Sequence, residues 1–76
     1  MDRSRVLSQP PMLTGSQLIV LRHLCEGKTS QQIADELFVS KRTVEFHVRS
    51  IYSRLNVSNR VQALREAQRL GLVVQV

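Results

Sequence analysis

Seventy-six residues leave room for one domain with a modest core and none for a second, and a single cysteine excludes an internal disulfide framework. Eleven Lys and Arg against six Asp and Glu give a net charge of +5, all of it beyond residue 40, where Lys41, Arg42, Arg49, Arg54, Arg60, Arg65 and Arg69 face only Glu45 and Glu66. No apolar run approaches the ~18 residues needed to cross a membrane, and Met1 to Leu13 lacks the apolar stretch of a signal peptide, so the expectation is a cytoplasmic protein with one surface suited to a polyanion.

In chain order, residues 1–12 carry Asp2, Arg3, Arg5 and the pair Pro10-Pro11 without periodicity and read as a flexible N-terminal arm, with the domain expected over 13–76. Order is predicted to begin at Thr14, because a threonine followed three residues later by Gln17 can close a capping box, with Leu13 placed to staple onto Leu18. The first helix runs to about residue 26, with Leu18, Leu21, Leu24 and Cys25 as its apolar face, Ile19 and Val20 beside them, and Gly27 as its left-handed stop. Thr29 and Gln32 repeat the same start for a short helix over about 30–37 that turns Ile33, Ala34 and Leu37 inward. Phe38, Val39 and Ser40 are too few for an antiparallel return and predict the crossed pair of a helix-turn-helix. Ser40 caps a third helix over about 41–55, whose Val44, Val48, Ile51 and Leu55 recur at helical spacing. A last helix starts from a cap at Ser58 or Asn59 and carries Val61, Ala63, Leu64, Ala67 and Leu70 as its apolar set. It ends at Gly71, with Leu72 folding back.

The third helix carries the clearest functional signal. At about 100° per residue, Arg42, Phe46, Arg49 and Ser53 fall opposite the apolar stripe, with Lys41, Glu45 and Tyr52 on one flank and Thr43, His47, Ser50 and Arg54 on the other. A phenylalanine left in water forgoes about 1.5–3 kcal/mol of burial, so a ring framed by two arginines implies a surface that is covered in use. Guanidinium groups suit phosphates and guanine edges, and an apolar ring suits a thymine methyl, which makes a nucleic-acid groove the fitting cover. Arg3 and Arg5 are placed to trail into a minor groove, and the start of the second helix, with Lys28, Thr29 and Ser30, suits a phosphate.

Metal, cofactor and catalytic readings find no support. His23 and Cys25 point to different sides of one helix, and Cys25 reads as a packing residue. His47, at the edge of the core stripe in another element, reads as a satisfied structural histidine or a phosphate donor, with no acid/base pair or nucleophile cluster around it.

Several separate signatures coincide over Leu13 to Val73: the opening Leu-Thr, Gly27 with Thr29, Ile33-Ala34, Leu37, Val39-Ser40, Thr43-Val44, His47, Ile51, Leu55, Val57, Arg60, Ala63, Ala67 and Gly71-Leu72. In this combination the chain resembles the LuxR-type helix-turn-helix DNA-binding domain shared by GerE and NarL. The resemblance implies an all-α, four-helix domain whose third helix enters the major groove of double-stranded DNA and whose fourth pairs two protomers. By position it implies base contacts from Glu45, Phe46 and Arg49, phosphate contacts from Thr29, Ser30, Lys41, Arg42, Thr43 and Arg54, and a homodimer interface at Val61, Leu64 and Arg65. It implies a transcriptional regulator with no cofactor, either free-standing like GerE or a fragment of a larger protein.

Two stretches depart from the family's pattern. Glu45 stands where a lysine is usual, which removes the basis for the family's shared base preference, because a carboxylate accepts from cytosine N4 where a lysine donates to guanine; its spacing from Arg49 favours instead an ion pair that orients the arginine. Ser16, Gln17 and Ile19 stand where Arg-Glu and a further acid are usual, so Ile19 offers an extra apolar contact. Two alternatives stay open: a protein-interaction module facing RNA polymerase or a partner regulator through Phe46, Ile19 or the last helix, and a sigma-factor-like DNA-binding region. His47 and the segment from Val57 to Leu72 favour the LuxR-type reading over the second.

Overall fold

The computed structural model describes residues 13–73, which form four α-helices: α1 Gly15–Cys25, α2 Ser30–Leu37, α3 Lys41–Leu55 and α4 Arg60–Arg69. The expected arm, with Arg3 and Arg5, lies outside the described residues, as do residues 74–76.

Local hydrogen bonding sets where each helix starts. Both predicted capping boxes form: Gln17 N–H donates to Thr14 Oγ1 at 3.1 Å while Thr14 N–H donates to Gln17 Oε1 at 2.9 Å, and Gln32 N–H donates to Thr29 Oγ1 at 3.1 Å while Thr29 N–H donates to Gln32 Oε1 at 2.8 Å. Ser40 Oγ accepts from Thr43 N–H at 3.0 Å and opens α3. Of the two candidate caps for α4, Asn59 supplies the acceptor, to Gln62 N–H at 2.9 Å, while Ser58 N–H donates to the Gln62 side chain at 2.8 Å. At the other end of α4, Leu72 N–H donates to Ala67 O at 2.8 Å across Gly71, whose φ of 73° only glycine adopts freely. Leu72 thereby folds back onto the core, as predicted.

α3 is the element the others pack around; it meets α1, α2 and α4. Its Val44, Ile51 and Leu55 are buried with Val20, Leu21 and Leu24 of α1, Ile33 and Ala34 of α2, and Ala63 and Ala67 of α4, while Val48 is half-buried. The alanines give α4 the low profile that lets its backbone approach closely. The inner face of α1 differs from expectation. Val20 is fully buried and Leu18 only half-buried, because Gln17, drawn in by its cap to Thr14, shares the buried stripe with Val20, Leu21 and Leu24. Ile19 is turned outward at 46% exposure.

The link between α2 and α3 contains a feature that periodicity does not predict. Phe38 adopts the left-handed conformation, φ 58° and ψ 43°, and its side chain is 94% exposed. The reversal is closed by Val39 N–H donating to Ala34 O at 3.1 Å. For a residue with a Cβ this backbone costs about 1–2 kcal/mol. Phe38→Gly is therefore expected to stabilise the fold by up to about 1 kcal/mol, which for a domain of this size raises the melting temperature by about 4–8 °C. A lower melting temperature would show that the exposed ring contributes more than the backbone costs.

Candidate nucleic-acid interface

The outer face of α3 is arranged as the helical count requires. Arg42, Phe46, Arg49 and Ser53 are exposed opposite the buried Val44, Ile51 and Leu55, and Phe46 is 60% exposed between the two arginines. The Phe46 ring stacks edge-on against His47, centroids 5.9 Å apart and planes at 62°, which limits its motion without hiding it. Lys41 and Thr43 are exposed in the first turn and Arg54 in the last. One helix thus carries seven of the nine residues expected at DNA, counting Lys41, Arg42, Thr43, Glu45, Phe46, Arg49 and Arg54.

Glu45 does not make the expected pair with Arg49. Its carboxylate faces Lys41 Nζ at 3.9 Å, one turn back. Helical side chains lean toward the N-terminal end, so residue 45 reaches for 41 rather than for 49. Exposed pairs of this kind contribute about 0.3–0.5 kcal/mol, and both charges stay available to a partner. Among the described residues Arg49 has no ion-pair partner, and its guanidinium is free to contact a ligand.

At the start of α2, Thr29 is exposed and Ser30 half-buried, but Lys28 does not join them as a phosphate donor. Its ammonium lies 2.9 Å from Glu36 Oε1, 3.1 Å from Glu26 Oε1 and 3.0 Å from His23 Nδ1. Hydrogen bonds to Glu36 and then Glu26 raise its pKa above the ordinary lysine range, so the charge is committed to tying α1 to α2. Sequence spacing gave no sign of this cluster, because two helices must cross before it forms.

His47 also departs from expectation. Its Nδ1 is buried and has no hydrogen-bond partner, so the imidazole is not a satisfied core histidine. The ring lines a groove of about 210 Å³ that is mostly apolar, with Ile19, Val20, Leu37, Val39 and Val44, and the hydroxyls of Ser16 and Thr43, which also line it, make no hydrogen bond to Nδ1. Cys25 is half-buried against the core, and burial pushes its thiol above the ordinary range, against the opposing charge of Arg60. On α4, Val61 is 60% exposed, Arg65 is exposed and Leu64 half-buried, so a strip of the helix faces outward while Ala63 and Ala67 are buried. No helix among the described residues is long and apolar enough to cross a membrane.

A sequence model of the bacterial regulatory proteins of the luxR family matches residues 11–67, most of the chain. The chain belongs to the LuxR family. Among curated LuxR-type relatives, LiaR of Bacillus subtilis is 44% identical over 61 residues, covering 80% of this chain and 29% of LiaR. AlkS of Ectopseudomonas oleovorans is 42% identical over 62 residues, covering 82% of this chain and 7% of AlkS. The chain therefore spans less than a third of the length of either regulator. The DNA-binding domain of ComA, solved in complex with the anti-activator RapF, superposes with a TM-score of 0.73 at 38% identity, covering 75% of this chain and 98% of that one. The response regulator ChrA of a heme-sensing two-component system superposes with a TM-score of 0.80 at 34% identity, covering 92% of this chain and 35% of ChrA. The LuxR-family fold is the expected all-α, four-helix arrangement, a DNA-binding domain of transcriptional regulators and not an enzyme.

Proposed function

We propose that this LuxR-family domain acts in the cytoplasm as a transcriptional regulator, placing α3 in the major groove of double-stranded DNA. Glu45, Phe46 and Arg49 meet base edges, while Thr29, Ser30, Lys41, Arg42, Thr43 and Arg54 meet phosphates. The observation that carries the reading is the exposed Phe46 framed by Arg42 and Arg49 on the helix face turned away from the core. Two copies pair through the outward strip of α4 at Val61, Leu64 and Arg65, placing two third helices on half-sites about one helical turn, 34–36 Å, apart.

Salt dependence tests the phosphate assignments. Counterion release makes the affinity fall with salt, with a slope that counts neutralised phosphates, so Arg42→Ala is expected to weaken cognate and scrambled duplexes alike and to lower the slope by about one. An unchanged slope removes Arg42 from the phosphate set.

A protein partner is the second reading, favoured by one observation: the ComA DNA-binding domain, similar in fold to this chain, has been solved bound to the protein RapF. In that case the exposed Phe46, Ile19 or α4 faces RNA polymerase or another regulator. Absence of any salt-dependent duplex binding at moderate ionic strength would favour it over the first.

A further inference from the structure

The two acids beyond residue 40 have different surroundings. Glu66 is gripped by the Arg69 guanidinium on α4, which holds its carboxyl below the usual range. Glu45 is the single acid on α3, exposed, loosely held by Lys41 at 3.9 Å, and about 40° around the helix from Arg49 at about 100° per residue. On a helix presented to phosphates, an added negative charge opposes binding by repulsion. It favours binding only where it meets a hydrogen-bond donor.

The major groove supplies such a donor selectively. Cytosine presents the N4 amino group with no acceptor beside it. Adenine presents its N6 amino group next to the N7 acceptor, and guanine and thymine present acceptors at O6, N7 and O4. A carboxylate is therefore drawn to cytosine and repelled by guanine.

We propose that Glu45 is a specificity-determining residue that accepts a hydrogen bond from a cytosine N4 amino group. This rests on the major-groove reading of α3 given above. Four residues of helix rise about 6 Å, close to two base-pair steps of about 3.4 Å, so the cytosine lies within about two steps of the guanine met by Arg49. Lys41, beside the carboxylate, offsets its repulsion of the backbone. The chain's preferred site thus contains a cytosine that a lysine at position 45 would not select.

The test is selection of bound duplexes from a pool with a randomised core, using the full 76-residue chain, Glu45→Lys and Glu45→Ala. Fluorescence-anisotropy titrations against single-base-pair variants of the selected duplex follow. The wild type is expected to select C·G at one position where Glu45→Lys selects G·C, with the other positions unchanged. Replacing that pair lowers wild-type affinity about tenfold or more, and Glu45→Ala loses this discrimination. The same preference in all three proteins, or adenine at the position, overturns the Glu45 assignment and leaves the reading by Phe46 and Arg49 standing. Failure of every protein to select any sequence overturns both.

Discussion

Ile51→Ala is expected to remove about 2–5 kcal/mol of folding stability, the range for emptying a fully buried aliphatic site. Ile51 is 0% exposed at the centre of α3, the element on which the other three helices pack, so no neighbour can relax into the space without moving a helix. A domain of this size has only about 4–11 kcal/mol in total at ~0.05–0.15 kcal/mol per residue, and the variant should be partly unfolded near physiological temperature. Urea unfolding followed by helical circular dichroism checks this, with Val61→Ala as the control. Val61 is 60% exposed, and in protein dilute enough to be monomeric its truncation should stay within about 0.5 kcal/mol of the parent. A loss below about 1 kcal/mol for Ile51→Ala would mean that the helices are not organised around α3.

Arg49→Ala is expected to relax sequence discrimination at the base pair it reads while leaving the fold intact. The arginine is exposed, packs nothing into the core and has no ion-pair partner among the described residues. A bidentate contact from arginine to guanine O6 and N7 is worth about 1–3 kcal/mol of discrimination, roughly 5- to 150-fold in affinity. The variant should therefore lose that factor on a cognate duplex and little on a scrambled one, in contrast to the uniform loss for Arg42→Ala. Equal affinity of parent and variant for the cognate duplex would withdraw Arg49 from base reading.

Much of this was legible in the sequence because it is local. The T-x-x-Q boxes at Thr14 and Thr29, the cap at Ser40 and the Gly71 stop depend on residues within one turn of each other, and all four form. The outward face of α3 was legible for the same reason, since helical periodicity alone puts Phe46 opposite Ile51. What escaped depends on how helices meet. Lys28 was expected beside a phosphate and instead joins Glu26, Glu36 and His23, a set assembled only when α1 and α2 cross. The unsatisfied His47 nitrogen likewise depends on the mostly apolar groove between α1, the turn and α3. The left-handed Phe38 is a backbone choice that its residue type argues against.

Chemical-shift mapping of the full chain with a duplex at two salt concentrations addresses the outward face of α3 most directly. At low salt, the amides of Arg42, Thr43, Phe46 and Arg49 should shift together with those at the start of α2. At higher salt, shifts at Phe46 and Arg49 should persist with a selected duplex and fade with a scrambled one. Shifts confined to Ile19 and Val39, or to α4, with Phe46 and Arg49 unmoved, would contradict the placement of this helix in DNA.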